Sequence, residues 1–426
     1  MKTTPSPALL AALLVSAFAL APASSAFTEI ARGSLTLTTT ASVAYDSNIA
    51  GNAVAQGDTI FTLAPTLDYN RAAGLGTIAA SVGTSINRYL DLPSYDSEDL
   101  AAALHISLPT PEGARHQGGL SAGYTDRAAI DETLGQRIRA KTWNAGFNGT
   151  YRVGTRVDLR SSASYLDTTR QTGADTTRYG AGLGFDYNGF LGGFGLMGDY
   201  KYSSTTSSAA GTAGPIDQTS NALSTGLFYR FVSGLRAAGN VGYRWIDRSS
   251  LETATGATSS TGMTYGLSLD GPFLPPRLFP KIKSSFSIGY EKGETLGVGD
   301  TGSANVVGSL NLSWQARERT SLTFGASRAQ SLASNNYSAV TDQVQFGVTQ
   351  QIGQRTSLRA SLAEEWSSYV GTGRSDRHTR GAINLAYNLN RNWRTGAGYT
   401  ITLARSNGAI RDYDRHLVSA FVSCTY

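Results

Sequence analysis

The chain has 426 residues, of which 40% are hydrophobic and only 16% charged, whereas an average soluble domain carries about 25% charged residues. Neutral polar residues and 48 glycines make up the difference, a composition typical of strands that face lipid on one side and water on the other. The single cysteine excludes an intramolecular disulfide, and the net charge of +5 is spread along the chain. Without a basic block we expect no nucleic-acid partner.

The first 26 residues have the pattern of a secretory signal peptide. Lys2 provides a positive start, residues 8–21 are apolar, and Ala21-Pro22-Ala23 or Ser24-Ser25-Ala26 offers a small-residue cleavage site. This run is too short to span a hydrocarbon core of about 30 Å, and no later run is long enough for a transmembrane helix. We therefore predict an exported protein with a signal peptide over residues 1–26, a short N-terminal segment over 27–33 and a barrel over 34–426.

From residue 34 onward, apolar and polar residues alternate with the period of two that predicts β-strands. Segment 35–45 alternates leucine, valine and tyrosine with threonine and serine, and segments 178–187 and 194–202 repeat the pattern with glycine and charged residues. The predicted fold is all-β: a transmembrane antiparallel up-and-down β-barrel of about 18–20 strands.

Two kinds of connection alternate along the chain, as a barrel with two different ends requires. Four prolines predict a long, stiff connection over 271–281 on the periplasmic side. The remaining connections predicted on that side are short turns, at 188–191, 233–234, 316–319, 351–354 and 390–392. The longer polar loops, expected to face outward from the cell, are 51–58, 128–136, 203–217, 251–260, 294–302 and 371–376.

Aromatic residues lie near the predicted strand ends on the apolar face. Amphipathic rings collect at both membrane interfaces, so these residues predict an aromatic girdle. The alternative is the ordinary composition of a strand-rich chain. The girdle residues are Trp143, Trp245, Trp314, Trp366, Trp393, Tyr165, Tyr290 and Tyr387.

The last strand is the most specific single feature of the sequence. Val418, Ala420, Val422, Cys424 and Tyr426 share one face, and Tyr426 is the final residue. This pattern resembles the terminal signal of outer-membrane proteins that the barrel assembly machinery recognises. We therefore predict insertion into the bacterial outer membrane, with that machinery, membrane lipid and lipopolysaccharide as partners.

Charged residues of both signs alternate onto the predicted inner face. Mixed signs in a wide pore predict a transverse field and weak ion selectivity, while the alternative is that these charges pair between neighbouring strands and stabilise the wall. No plug domain is predicted, so either loops and lumen side chains narrow the pore or a periplasmic partner gates it. The candidate lumen residues are Asp158, Arg160, Asp186, Asp199, Lys201, Arg230, Arg244, Asp270, Lys283, Arg359 and Glu365.

Enzymatic chemistry has one candidate location. The triplets 376–378 and 414–416, both Asp-Arg-His, lie on strands expected to be close neighbours near the outer rim. They could form a hydrolytic or metal site, but no nucleophile, metal-binding or phosphate-loop motif accompanies them. We predict neither an enzyme nor a cofactor. The alternative is a polar rim whose arginines pair with acidic lipopolysaccharide: Arg374, Arg380, Arg405 and Arg411.

The segment Ala44-Tyr45-Asp46-Ser47-Asn48-Ile49 resembles the Tyr-Asp-x-Asn element that follows the first strand in the putative beta-barrel porin 2 family. Chain length, short loops and the aromatic terminus also fit that family. Some of its members are associated with exopolysaccharide export genes. The resemblance therefore implies a translocation channel in the outer membrane, for a polymer in those members, with a periplasmic export partner.

The leading functional hypothesis is a channel or porin that passes hydrophilic solutes or polysaccharide across the outer membrane. A second hypothesis is a structural or adhesive barrel that binds an external partner through loops such as 203–217. A barrel hydrolase is the third.

Overall fold

A computed structural model describes residues 28–30, 32–74, 76–108, 114–131, 134, 136–208, 215–248, 259–274, 279, 281–292, 304–334, 337–408 and 412–426. The predicted signal peptide lies outside these residues. Apart from one 3₁₀ turn at Pro93–Tyr95, every regular element in the described ranges is a β-strand. No helix among them is long and apolar enough to cross a membrane.

The strands are mostly 11 to 18 residues long. In chain order they are β1 (Thr28–Ile30), β2 (Gly33–Asp46), β3 (Asp58–Ala73), β4 (Gly76–Tyr89), β5 (Ser97–Leu108), β6 (His116–Asp131), β7 (Gln136–Val153), β8 (Val157–Arg170), β9 (Thr176–Leu191), β10 (Phe194–Ser207), β11 (Ile216–Arg230), β12 (Arg236–Arg248), β13 (Ser259–Asp270), β14 (Ile282–Lys292), β15 (Ala304–Arg317), β16 (Thr320–Leu332), β17 (Ser338–Ile352), β18 (Thr356–Tyr369), β19 (Ser375–Asn388), β20 (Trp393–Ser406) and β21 (Tyr413–Thr425).

Each strand from β2 to β21 pairs antiparallel with its neighbours in the chain, and β21 closes the ring against β2. Thr38 lies opposite Thr425 and Asp46 opposite Leu417 in this closing pair. The short β1 folds back onto the start of β2. Closure removes the open edges that a flat sheet would expose. The predicted up-and-down barrel is confirmed, with 20 strands.

The two faces of the wall follow from the alternation in the sequence. Leu183, Tyr200 and Leu223 are level with one another on three neighbouring strands, and all three are exposed. Large apolar side chains of this kind form an outward band around the barrel, which suits a hydrocarbon environment. Cross-strand pairing places the predicted girdle residues on the same outer face, where the tilted rings of Tyr124 and Trp143 have centroids 4.3 Å apart.

Several predicted connections are displaced in the structure. The predicted turn at 188–191 is wrong, because β9 continues to Leu191 and the chain reverses at Gly192, whose φ of 60° is accessible to glycine. The predicted loop at 203–217 is largely strand, since β10 reaches Ser207 and β11 begins at Ile216. The proline-rich connection between β13 and β14 is long, as predicted. Loop 294–302 and most of loop 251–260 lie outside the described residues.

Candidate functional site

The eleven sequence-predicted lumen residues share the inner face of the barrel. On β8, β9 and β10, for example, Arg160, Gly184 and Asp199 lie side by side, and the large exposed apolar residues occupy the opposite face. The same register carried across neighbouring strands places the rest of the set inward. The inner wall is therefore polar, with charged residues on a background of serine, threonine, asparagine and glycine.

Part of the set is brought together in a groove of about 1050 Å³ on the inner wall. Its lining includes Arg160, Asp199, Lys201 and Arg244. The guanidinium group of Arg160 lies 3.0 Å from a carboxylate oxygen of Asp199 and 3.1 Å from one of Asp186. Charges of opposite sign thus pair between neighbouring strands here, as the alternative interpretation predicted.

Pairing accounts for only some of the other predicted lumen charges. Asp158 pairs with Arg152 at 3.0 Å, and Glu365 pairs with Arg380 at 3.5 Å. Within the described part of the chain, five predicted residues form no ion pair. They are Lys201, Arg230, Asp270, Lys283 and Arg359. The inner face therefore combines ion pairs with charged side chains that form no ion pair with a described residue.

Sequence reasoning missed other inward residues that strand parity could have identified. Arg236 contacts Asp186 at 3.6 Å from β12. Arg394 lies on the inner face of β20 opposite Ser423. Both were omitted although they alternate in step with predicted lumen residues.

Cations are concentrated at the end of the barrel that carries the short turns. This end comprises the described short turns and the four adjoining residues of each strand from β2 to β21. This region contains sixteen Lys and Arg residues but only three Asp and Glu residues. We call the cations the basic ring: Arg32, Arg71, Arg115, Arg152, Arg156, Arg160, Arg230, Arg236, Lys281, Lys283, Arg317, Arg319, Arg355, Arg359, Arg391 and Arg394.

The opposite end begins with the loop between β2 and β3, which the Tyr-Asp-x-Asn motif organises. Asp46 is fully buried and accepts three hydrogen bonds from the guanidinium group of Arg415, one at 2.6 Å and two at 3.0 Å. Asp46 also accepts a hydrogen bond from the backbone N–H of Asn48. The Asn48 side chain in turn holds the N–H groups of Gly51 and Asn52. These bonds fold the loop into a compact turn whose Ile49 is fully buried.

The tip of the β6–β7 hairpin meets this loop. A Cβ atom on Gly51, whose φ is 63°, would lie only 2.7 Å from the side chain of Ile130, so the Gly51 backbone packs directly against that side chain. The backbone N–H of Ala128 donates to the inward carboxylate of Asp99 at 3.2 Å. The hairpin tip therefore bends over the opening instead of continuing along the wall.

The same hairpin tip contacts a loop from the opposite wall. Ser334, between β16 and β17, donates a hydrogen bond from its hydroxyl group to Asp131 at 3.1 Å. The carbonyl oxygen of Ser334 accepts a hydrogen bond from the N–H of Ala174, between β8 and β9. Strands β6 and β16 are ten apart in a ring of twenty, so these contacts span a mouth roughly 40 Å wide.

We call these segments the loop layer. It consists of residues 47–57, 128–131 and 134, 171–175, and 333–334. Of the two expected ways to narrow the pore, inward-folded loops are therefore observed. Buried polar residues accumulate beneath the layer, whereas the middle of the inner wall is largely accessible.

The histidine triplets do not form one site. On β19 the side chain of His378 points inward, whereas on β21 His416 points outward and its Nδ1 atom lies 2.8 Å from the hydroxyl oxygen of Tyr399. The wall separates them because the two triplets have opposite strand parity. No group of residues in the described ranges has the composition and spacing to hold a metal ion.

Three of the four rim arginines pair with carboxylates of this chain. Arg405 contacts Asp414 at 2.7 Å, and Arg380 contacts Glu365 at 3.5 Å. Arg374 pairs with Asp376. Arg411 lies outside the described residues. These internal contacts compete with the predicted pairing to lipopolysaccharide.

Comparison with solved structures finds chains of similar fold. The FrpB iron transporter from Neisseria meningitidis is similar with a TM-score of 0.52 and 9% identity, over 92% of this chain and 81% of that chain. The ferric-catecholate import receptor Fiu from E. coli has a TM-score of 0.52 and 10% identity over the same shares. No curated protein matches the chain. At these identities the structural likeness concerns the fold alone.

A family model matches the C-terminal part of the chain. Residues 301–426 match the family described as "Putative beta-barrel porin 2". These residues run from the approach to β15 through the closing strand β21, and they do not include the Tyr-Asp-x-Asn segment on which the resemblance was based. The resemblance to the putative beta-barrel porin 2 family is therefore confirmed, through the C-terminal part of the chain.

Proposed function

We propose that this protein is a gated channel that carries hydrophilic solutes or polysaccharide across the bacterial outer membrane. The supporting observation is a closed barrel with a polar inner wall whose described loops cover only one end. A barrel of this strand number is wide enough to hold water. The loop layer then acts as the gate, and its displacement opens the path.

Orientation follows from the usual arrangement of such barrels, in which short turns face the periplasm and long loops face outward. The loop layer then lies on the cell surface, and the open end receives material from the periplasm. A periplasmic export partner would deliver a polymer to that open end. The C-terminal strand would direct assembly through the barrel assembly machinery after the signal peptide is removed.

Charged pairs on the outer face support an interaction with lipopolysaccharide. Arg328 pairs with Asp342 at 2.9 Å, and Arg377 pairs with Glu364 on the next strands. Both pairs lie near the long-loop end and point away from the lumen. Such charges are costly within hydrocarbon, so they mark the level at which phosphate and sugar groups begin.

Planar-bilayer recordings test the gated channel. A short Gly-Ser turn replaces residues 128–136, which removes the contacts of the hairpin tip with Ser334 and with the β2–β3 loop. We expect small or brief currents from the intact protein and large, steady currents from the shortened variant. Heat-dependent migration on gels verifies that both barrels are folded. Absence of current through the folded, shortened barrel would contradict the proposal.

A further inference from the structure

The basic ring is unusual because the rest of the protein has a net negative charge. The chain as a whole has a net charge of +5, yet the short-turn end alone carries sixteen cationic residues against three acidic ones. The charges are therefore segregated along the barrel axis. Such segregation creates a field at one opening that attracts ligands of the opposite sign.

Several cations of the ring point into the opening and are available to a ligand. Arg230, Lys283, Arg359 and Arg394 lie on the inner face of β11, β14, β18 and β20, and all four are exposed. No carboxylate within the described ranges pairs with them. Their spacing around the circumference would bring a ligand that enters the lumen into contact with more than one of them.

The inward orientation of these cations favours a ligand in the lumen over membrane phospholipid. Lipid phosphates reach the outer face of the wall, where Arg71 lies, whereas Lys283 and Arg359 face the water-filled interior. A flexible, repeating anion could contact these inward cations in succession. Further up the wall, the exposed amine of Lys201 continues the cationic path in the groove beside Arg160.

We propose that the basic ring captures a negatively charged polysaccharide and admits it to the lumen from the periplasmic side. The inference rests on the proposed channel function and narrows its substrate class to polyanions. Binding at the ring does not require an open loop layer. It can therefore be measured separately from conduction.

The experiment uses the full mature chain in nanodiscs of zwitterionic lipid and fluorescently labelled oligogalacturonate as the probe. Neutral malto-oligosaccharide of equal length is the comparison ligand. The test variant combines Lys283→Ser, Arg359→Ser and Arg394→Ser. The matched control combines Arg328→Ser, Arg377→Ser and Arg405→Ser, which removes the same number of charges from the outer face of the opposite end.

We expect oligogalacturonate to bind the wild type at low salt and malto-oligosaccharide not to bind. The test variant should bind about tenfold more weakly. The slope of log affinity against log salt should fall by about 2, because three ionic contacts are lost. The control variant should stay within about twofold of wild type.

Equal weakening in the test and control variants would overturn the inference, since it would show only a general effect of net charge. Equal binding of the neutral oligosaccharide would overturn it as well. Retention of anionic phospholipid by the wild type, without oligogalacturonate binding, would assign the ring to the membrane instead. If binding behaves as expected but the shortened channel conducts nothing, the ring is a polyanion site and the channel proposal alone fails.

Discussion

The two ends of the barrel differ in the sign, pairing and burial of their charged residues. The short-turn end holds sixteen Lys and Arg residues against three Asp and Glu residues, whereas the described long-loop end, over the same length of each strand, holds eleven against fifteen. At the long-loop end many charges are paired and buried beneath folded loops. At the short-turn end many are exposed and unpaired. The charges of one end stabilise its own loops, whereas those of the other end, under our proposal, bind a mobile anion.

Burial explains why similar side chains act differently at the two ends. The side chain of Asp46 is 1% exposed and that of its partner Arg415 is 28% exposed, so each charge depends on the other. Removing one partner of a buried pair is strongly destabilising because the remaining charge is left without water. Arg359, in contrast, is exposed and keeps its hydration.

A crosslink across the loop layer should have the largest effect. Asp131→Cys and Ser334→Cys are combined with Cys424→Ser, because the native thiol is the only other cysteine. The side-chain oxygen atoms of Asp131 and Ser334 are 3.1 Å apart, within reach of a short methanethiosulfonate crosslinker. We expect crosslinking to abolish the channel openings seen in planar bilayers and a reductant to restore them.

The two single-cysteine variants are the controls for this crosslink. Each should react with the reagent without losing its openings, because one attachment cannot join opposite walls. Normal openings in a fully crosslinked sample would show that the loop layer does not gate the pore.

Between the two ends, an arginine introduced on the outer face of the apolar band should destabilise the barrel more than one introduced on the inner face. Leu223 lies in the middle of β11 and is 57% exposed on the outer face, whereas the next residue, Ser224, lies inward beside Asp199. Leu223→Arg should lower the free energy of unfolding in lipid by about 2–4 kcal/mol, the cost of arginine at the bilayer midplane. Ser224→Arg should change it by less than about 0.5 kcal/mol. Urea unfolding in vesicles measures both, and equal losses would argue against an outward lipid face.

The ion pair between Asp46 and Arg415 at the loop-layer end should contribute less to the free energy of unfolding, because Arg415 is partly hydrated. Asp46→Asn keeps the shape of the side chain but removes its charge. We expect it to lower the free energy of unfolding by about 2 kcal/mol and to lengthen channel openings, since the β2–β3 loop loses its anchor. Asp68→Asn is the matched control, because this carboxylate is on the inner face of the neighbouring strand and pairs with no described cation. The same loss in both variants would refute a special role for the Asp46–Arg415 pair.

Sequence reasoning recovered the fold because a barrel wall is specified locally. Period-two alternation fixes which face of each strand points outward, and strand pairing extends that choice to the neighbours. The alternation alone therefore predicts opposite faces for Leu183 and Asp199, and the strand pairing gives them opposite faces. Turn positions were less predictable, as at Gly192, because strand pairing can continue beyond the membrane band.

The loop layer could not be predicted in the same way. One of its contacts joins Asp131 to Ser334, 203 residues apart, and the ion pair at its base joins Asp46 to Arg415, 369 residues apart. Such pairs depend on the curvature of the barrel and on how far each hairpin bends. Local sequence patterns predict neither property. The basic ring was within reach of sequence reasoning, since counting charges beside the short turns reveals it.

The smallest expected effect on the free energy of unfolding is at the basic ring. Replacing Arg359 there distinguishes a binding role of this side chain from a structural one. Arg359 lies between Thr349 and Asn384 on neighbouring strands and forms no ion pair with a described residue. Arg359→Ser should leave the free energy of unfolding within about 0.5 kcal/mol of wild type, or raise it slightly at low salt, because repulsion within the ring decreases. Urea unfolding at two salt concentrations measures this effect. A loss of more than about 1 kcal/mol in the free energy of unfolding would mean that Arg359 stabilises the barrel wall. The proposed contrast between a long-loop end that stabilises its own chain and a short-turn end that binds a ligand would then fail at this residue.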